Sequence, residues 1–266
     1  MEKKIKVVIV GALGKMGMET IKAVLQDQDV ELAGLVDIRA RGEKISDLIP
    51  MLKSELVLEN DLKNVLAVVK PDVVVDFTNP QVVYENLIIA LNQGVTCVVG
   101  TTGLKDDEIN HLEKMALEKE TGLAIIPNFA IGAVLMMEFA REAAKHLPNV
   151  EILEIHHDQK MDAPSGTAIK TAQMIVENRK EKPPEKDQEF EKIPGVRGGD
   201  MDGIKIHSIR LPGFVAHQEV IFGGVGQSLT IRHDTIDRIC FMPGVLLAIK
   251  KMQDQRGLIY GLEKLL

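Results

Sequence analysis

Ile5-Lys6-Val7-Val8-Ile9-Val10-Gly11-Ala12-Leu13-Gly14-Lys15-Met16-Gly17 is the stretch that decides the fold. A β-branched apolar run, a glycine turn and a helical pattern from Met18 to Leu25 make strand, turn and helix. In that context the turn from Gly11 through Ala12, Leu13, Gly14, Lys15 and Met16 lets backbone approach a pyrophosphate at a helix N-terminus. The spacing is G-x-x-G-x-x-G rather than G-x-G-x-x-G, so a tight structural turn is the competing reading. A second strand, Glu31 to Val36, ends at Asp37, twenty residues after Gly17. A carboxylate there can accept from adenosine ribose hydroxyls, which points to NADH. Arg39 and Arg41 lie just beyond and are either solvated loop charges or cations that can pair with the 2′-phosphate of NADPH.

Strands and helices then keep alternating. Asp72 to Phe77 reads as a third strand, Val82 to Asn92 as a helix, Val95 to Val99 as a fourth strand and Leu123 to Ile126 as another. This predicts an α/β, doubly wound parallel sheet of the Rossmann-like type, in which ligands bind beyond the carboxyl ends of strands. Gly100, Thr101, Thr102, Ile126, Pro127, Asn128 and Phe129 fall at such ends and are further cofactor-binding candidates, with plain turn chemistry as the alternative.

After a connecting helix, Ile131 to His146, the pattern changes. A strand from Val150 to Ile155, a helix from Ala168 to Asn178, and strands Ile204 to Leu211, Val215 to Phe222 and Ser228 to His233 predict an α+β domain with a mixed sheet and hairpins. Arg179 to Lys192, rich in Lys, Glu and Pro, reads as a solvated loop. A last helix, Thr235 to Met252, carries Ile236, Ile239, Cys240, Val245, Leu246 and Ile249 and is expected to pack on the first domain. The division is therefore a dinucleotide domain, 1–128 completed by 235–266, and a substrate domain, 129–234, with hinges near Phe129 and Thr235.

Within the second domain, Glu154-Ile155-His156-His157-Asp158-Gln159-Lys160-Met161-Asp162-Ala163-Pro164-Ser165-Gly166-Thr167-Ala168 concentrates proton donors and anion-binding groups on a strand-to-helix connection. Ser165 or Thr167 can cap the helix, Gly166 lets the backbone bend, and the free N–H groups with Lys160 form a receptor for carboxylate or phosphate. A capped helix preceded by surface histidines is the plain alternative, but the density of the cluster favours an acidic substrate. As strand neighbours, His156 and His157 should face opposite ways unless the strand ends between them.

Composition excludes other classes. The 266 residues are 45% hydrophobic, which allows a sizeable core, and a net charge of −7 leaves no basic stripe for nucleic acid. Cys97 and Cys240 read as reduced buried thiols, and with no adjacent base neither suits the acyl-transfer chemistry of a semialdehyde dehydrogenase. No metal constellation is present, and His111, His146 and His233 read as structural. The N-terminus has no signal h-region and no apolar run nears the ~18 residues of a membrane span, so a cytoplasmic protein without membrane partners is expected. A dinucleotide-sensing protein would keep the glycine turn but have no need of the His156–Lys160 cluster. Another Rossmann-type oxidoreductase acting on a small carboxylate remains the alternative.

These residues carry a resemblance that runs end to end. The glycine turn resembles the G-x-x-G-x-M-G of the 4-hydroxy-tetrahydrodipicolinate (dihydrodipicolinate) reductase family, and Gly100-Thr101-Thr102-Gly103 its G-T-T-G. Glu154 to Ala168 resembles its E-x-H-H-x-x-K-x-D-A-P-S-G-T-A, and His207-Ser208-Ile209-Arg210 and Gly213-Phe214-Val215-Ala216-His217 its C-terminal segments. The resemblance implies NAD(P)H-dependent reduction of a cyclic dicarboxylate with loss of water, in lysine and diaminopimelate biosynthesis, by a homotetramer built on the mixed sheet. It implies His156 as proton donor or acceptor with Lys160 as partner, and His157, Lys160, Ser165, Gly166 and Thr167 on the substrate carboxylates. The chain departs from the family at Lys15, often Arg there, and at Ile38, where Arg often follows the acid, leaving the choice of NADH or NADPH open.

Overall fold

The computed structural model describes residues 3–49, 54–182 and 190–266. The chain divides into two compact units, Met1–Phe129 with Phe241–Leu266, and Ala130–Cys240. Of the charged loop expected over 179–192, residues 183–189 lie outside the described part.

In the first unit the strands are β1 (Ile5–Val10), β2 (Val30–Val36), β3 (Leu58–Glu59), β4 (Val73–Asp76), β5 (Thr96–Val99) and β6 (Gly122–Ile125). Among the described residues they form one sheet in the order β12-β6-β5-β4-β1-β2-β3, where β12 is Gly257–Tyr260, and every pairing is parallel. The helices are α1 (Lys15–Gln26), α2 (Ile45–Leu48), α3 (Leu62–Val69), α4 (Val83–Asn92), α5 (Asp106–Glu118) and, returning from the second unit, α8 (Met242–Lys251). β4, β5 and β6 are buried at every position, as central strands covered on both faces must be. The chain winds outward from β1 to β3, then from β4 the other way, so the switch point lies between β1 and β4. This is where such sheets open a crevice.

Three pieces differ from the expected pattern. The run read as a third strand is the fourth, because the two-residue β3 and the helices α2 and α3 precede it; β3 and the four-residue α2 are too short for a periodic signal, whereas α3 has Leu62, Val65, Leu66 and Val69 at helical spacing and was passed over. The expected C-terminal helix begins at Met242, not Thr235, because Pro243 lacks an N–H and suits only a first turn; a 3₁₀ turn, Arg238–Phe241, precedes it. Ile236 and Ile239 are therefore solvent-exposed, while Val245 and Ile249 are fully buried. β12, unforeseen, extends the sheet beside β6.

The second unit holds α6 (Ile131–Ala144), β7 (Asn149–His156), α7 (Gly166–Asn178), β8 (Gly199–Met201), β9 (Ile204–Arg210), β10 (Ala216–Gly224) and β11 (Gln227–Thr235). The sheet order is β11-β10-β7-β9-β8, mixed, with β7 and β9 the parallel pair. Val150, Ile152, Ile206, Val220 and Phe222 are buried on the face that receives α6 and α7. The opposite face carries Leu153, Ile155, Ile209 and Ile221.

Glycine positions fix the β1–α1 turn. Gly11 has φ +79°, and a Cβ there would lie 2.5 Å from the Phe77 carbonyl oxygen. At Gly17 a Cβ would run into the Gly11 carbonyl oxygen and the Ala12 backbone, so helix and turn touch without a side chain between them. Gly17→Ala is expected to destabilise the protein by about 1–3 kcal/mol, the usual cost of overpacking against rigid backbone. Urea denaturation of the purified variant measures it; wild-type stability would show that the turn yields.

Candidate active site

At the switch point a cavity of about 800 Å³ opens, lined by Gly11, Gly14, Asp37, Arg39, Thr78 and Asn86 among others. Gly14 caps α1 without a side-chain bond, and the first turn of α1 holds no acid, so no side chain of the helix itself answers its partial positive charge. Asp37 follows β2 and is nearly buried. One of its oxygens accepts from the Leu13 amide at 2.9 Å, so the acid also braces the glycine turn. Arg39 closes a fork on the same carboxylate, Nε to Oδ1 at 2.9 Å and Nη2 to Oδ2 at 3.0 Å. Burial alone would raise the Asp37 carboxyl, but the Arg39 guanidinium and the Arg39 and Leu13 amides outweigh it and hold it below the usual carboxylate range. Asp37 and Arg39 thus meet each other here rather than standing apart for ribose and phosphate.

The remaining cofactor candidates divide. Ala12 is buried, its amide bound to the Val36 carbonyl; Leu13 and Met16 are half-buried and Lys15 is exposed. Gly100 lies under the Phe77 ring, where any Cβ would strike it. Thr101 is buried and Thr102 exposed. Ile126 and Phe129 are buried, the Phe129 ring edge-on to Phe77 at 5.6 Å, so they can meet a ligand only through backbone. Pro127 is exposed and Asn128 half-buried. The cavity wall also takes Asn60, Lys63, Thr78, Asn79 and Asn86, which the sequence reading missed. Thr78 and Asn79 follow a strand's carboxyl end, a signal that was available; the wall from α3 is set by tertiary packing and had none.

In the second unit, register builds the other constellation. β7 alternates Val150, Ile152, Glu154, His156 on its covered face, and the parallel pairing sets His156 beside Arg210. Glu154 is fully buried. It binds His156 Nδ1 through a short contact and accepts from Arg210 Nη1 at 3.0 Å and Nη2 at 2.7 Å. Burial opposes the charge, but the bonds from His156, Arg210 and Ser208 prevail and push the carboxyl down to about 2. An ionised carboxylate only accepts, so Nδ1 is the donor and Nε2 is left for a ligand. Arg210 Nη2 also donates to the Asp162 carbonyl at 2.8 Å, tying the loop beyond β7 to β9.

β7 ends at His156, and His157 opens a turn in which its carbonyl accepts from the Lys160 amide at 3.2 Å. Strand alternation therefore does not force the two histidines apart. Lys160 donates to both oxygens of Asp162, at 2.7 and 2.9 Å, so its charge is shared with a carboxylate the sequence reading did not weigh. The Lys160 ammonium is the main cause of the lowered Asp162 pKa. Ser165, not Thr167, is the cap, accepting from the Ala168 amide at 3.2 Å after a cis Ala163–Pro164 bond. Gly166 corrects an expectation: its φ is ordinary and a Cβ would meet nothing within 4 Å, so no bend requires glycine. The space in front of it is open.

Among the described residues no His/Cys/Asp/Glu group could hold a metal, and no helix is long and apolar enough to cross a membrane. Cys97 is buried and free, its thiol pushed far up by burial. Cys240 is free and only half-buried, short of the full burial expected. His111 bonds the Tyr84 hydroxyl at 2.6 Å, His146 is exposed, and His233 packs on Gly132 with its pKa lowered by burial.

The profile described as dihydrodipicolinate reductase, N-terminus, matches residues 5–129, and that described as dihydrodipicolinate reductase, C-terminus, matches 132–266. The chain belongs to the dihydrodipicolinate reductase family. It is 61% identical over 266 residues to 4-hydroxy-tetrahydrodipicolinate reductase of Syntrophomonas wolfei subsp. wolfei, covering all of both chains. It is 51% identical over 265 residues to that of Desulfitobacterium hafniense (strain DSM 10664 / DCB-2), covering 99% of each. The solved dipicolinate-bound dihydrodipicolinate reductase from Paenisporosarcina sp. TG-14 superposes with a TM-score of 0.88 at 44% identity, over 99% of this chain and 100% of that one.

For a member of the dihydrodipicolinate reductase family, the Glu154 network gives a direct stability test. A carboxyl depressed from its ordinary 4.5 to about 2 stabilises the fold fully above pH 4.5 and loses that contribution as pH falls toward 2. Glu154→Gln is expected to cost roughly 3 kcal/mol at neutral pH, by analogy with breaking a buried pair. The gap from wild type should narrow as the medium is acidified through that window. Denaturant titration at a series of pH values checks it; a gap independent of pH would contradict the assignment.

Proposed function

We propose that this chain catalyses the NAD(P)H-dependent reduction of 4-hydroxy-tetrahydrodipicolinate to tetrahydrodipicolinate with loss of water, a step of lysine and diaminopimelate biosynthesis. The carrying observation is full-length membership of the family together with one polar cluster that holds an oriented histidine, a lysine and a capped helix start. The dipicolinate in the Paenisporosarcina structure supports a cyclic dicarboxylate as substrate class.

The first unit fits a dinucleotide. Gly11 forms a cradle that a Cβ would fill, α1 presents an open N-terminus, Asp37 suits ribose hydroxyls, and the cavity of about 800 Å³ has room for the adenosine half. Water first leaves with the hydroxyl of one ring carbon and a proton of its neighbour, leaving a double bond between them; when bound, the nicotinamide supplies hydride to the carbon that lost the hydroxyl. The protein's part is proton placement and charge. His156, its Nδ1 donated to Glu154, carries the transferred proton at Nε2 and protonates the neighbouring ring atom. Lys160 leaves Asp162 for one substrate carboxylate, while the N–H groups at Ser165, Gly166 and Thr167, with His157, receive the other. Because these groups and the dinucleotide groups belong to different units, turnover requires closure about segments near Phe129 and Thr235.

Dinucleotide choice rests on Asp37 and Arg39. With the fork closed, Asp37 accepts from the Leu13 and Arg39 amides and twice from the guanidinium, so Arg39 must swing away before ribose can bind; once released, Asp37 still braces the turn and accepts from the ribose hydroxyls, so NADH is used as well as or better than NADPH. NADPH must draw Arg39 from Asp37 to its 2′-phosphate. Assembly is a homotetramer through the face of the second unit's sheet carrying Ile155 and Ile221, and the compartment is the cytoplasm.

His156→Gln is expected to lower turnover roughly 10²–10⁴-fold while dinucleotide affinity barely moves. Lys160→Ala should spare the dinucleotide and reduce turnover or substrate binding. Near-normal turnover of both variants at saturating substrate would overturn the assignment. For the cofactor, Asp37→Ala is expected to weaken NADH more than NADPH, and Arg39→Ala to weaken NADPH selectively. An unchanged NADPH Michaelis constant in Arg39→Ala would remove the argument for dual use.

A further inference from the structure

Asp76 ends β4, between β1 and β5, and is fully buried. Its Oδ1 accepts three bonds, from the Thr78 amide at 2.9 Å, the Thr78 hydroxyl at 2.6 Å and the Thr101 hydroxyl at 2.8 Å. Its Oδ2 accepts from Asn86 Nδ2 at 2.9 Å. The donors come from the β4–α4 connection, the β5–α5 connection and α4 itself. Thr78 and Asn86 line the cavity, and Thr101 stands in the Gly-Thr-Thr-Gly turn.

A buried carboxylate served only by neutral donors is an expensive way to fill a core, since apolar residues of similar volume do so at least as well. What it provides is geometry: one atom joined to two separate loops leaves neither free to move alone. We propose that Asp76 is a positioning residue for the dinucleotide site, holding Thr78, Thr101 and Asn86 in the arrangement that receives the cofactor. This rests on the reading of the cavity as the dinucleotide site.

Asp76→Asn is close to isosteric but places an amide carbonyl, with two lone pairs, before three donors, and an NH₂ before the NH₂ of Asn86. The dissociation constant and Michaelis constant for NADH should each rise roughly tenfold, the scale of losing such bonds. The Michaelis constant for the dicarboxylate should stay within about threefold of wild type, a split that general loosening of the fold would not produce. Thr101→Val should weaken NADH too, and the double variant should bind it no worse than Asp76→Asn alone, because both act through one bond.

The test titrates NADH into the full-length protein by fluorescence, with Asp37→Ala as marker of the cavity. Losses that multiply in the double variant would overturn the proposal. So would wild-type NADH affinity in Asp76→Asn beside weakened Asp37→Ala, which leaves the cavity reading standing. Wild-type affinity in both would bring down the cavity reading and the proposal with it. Should Asp76→Asn fail to fold, Thr78→Val and Thr101→Val carry the test: each must weaken NADH with the combined loss less than their product, and unchanged affinity in both rejects it.

Discussion

A carboxylate with no access to water must be met by donors or cations, and Glu154 is the place where that demand shapes the second unit. Within β7 only His156 reaches it, at one of its two oxygens. Arg210 has to arrive from β9 in register beside His156, and the same guanidinium then reaches the Asp162 carbonyl and fixes the loop that carries Lys160. One electrostatic requirement thus couples strand pairing, the orientation of a histidine ring and the path of the Lys160 loop. The proton-transfer role proposed for His156 depends on it, because a ring free to turn would present either nitrogen.

The first unit solves its problem by subtraction. Gly11, Gly17 and Gly100 are sites where any side chain would collide with the Phe77 carbonyl, the Gly11 carbonyl or the Phe77 ring. Removing those side chains brings backbone and helix terminus to the crevice between β1 and β4. Charge is then added sparingly: Asp37 braces the turn from one side and is answered by Arg39 on the other. In the proposed function an incoming dinucleotide competes for groups that already satisfy each other, so selectivity between cofactors becomes a matter of which partner Arg39 leaves.

Much of this was legible in the sequence because it is local. Ile5 to Gly17 shows strand, turn and helix in consecutive residues, and the strand ends at Asp37 and Gly100 follow from the same period. The helix cap, narrowed to Ser165 or Thr167, belongs to the same class, whereas the break after His156 entered only as a condition on the two histidines sharing a side. What escaped depends on contacts between distant segments. Glu154 did leave a trace, a charge on the apolar phase of Val150 and Ile152, but its partner Arg210 is 56 residues away and only the β7–β9 register joins them. β12 was hidden because an edge strand of four residues carries little periodicity, and the α3 side of the cavity because only tertiary packing brings that periodic helix to the crevice. The C-terminal helix was misjudged for a local reason, Pro243, that apolar spacing overshadowed.

In the proposed function this chain delivers hydride and proton to one dicarboxylate ring with departure of water. The direct measurement supplies the purified protein with the condensation product of pyruvate and aspartate semialdehyde and NADH carrying deuterium at the transferable position, then follows the label. One equivalent of NADH should be consumed per tetrahydrodipicolinate formed, with deuterium on the ring carbon that lost hydroxyl. Consumption without label in that product, or no consumption with either NADH or NADPH, would contradict it.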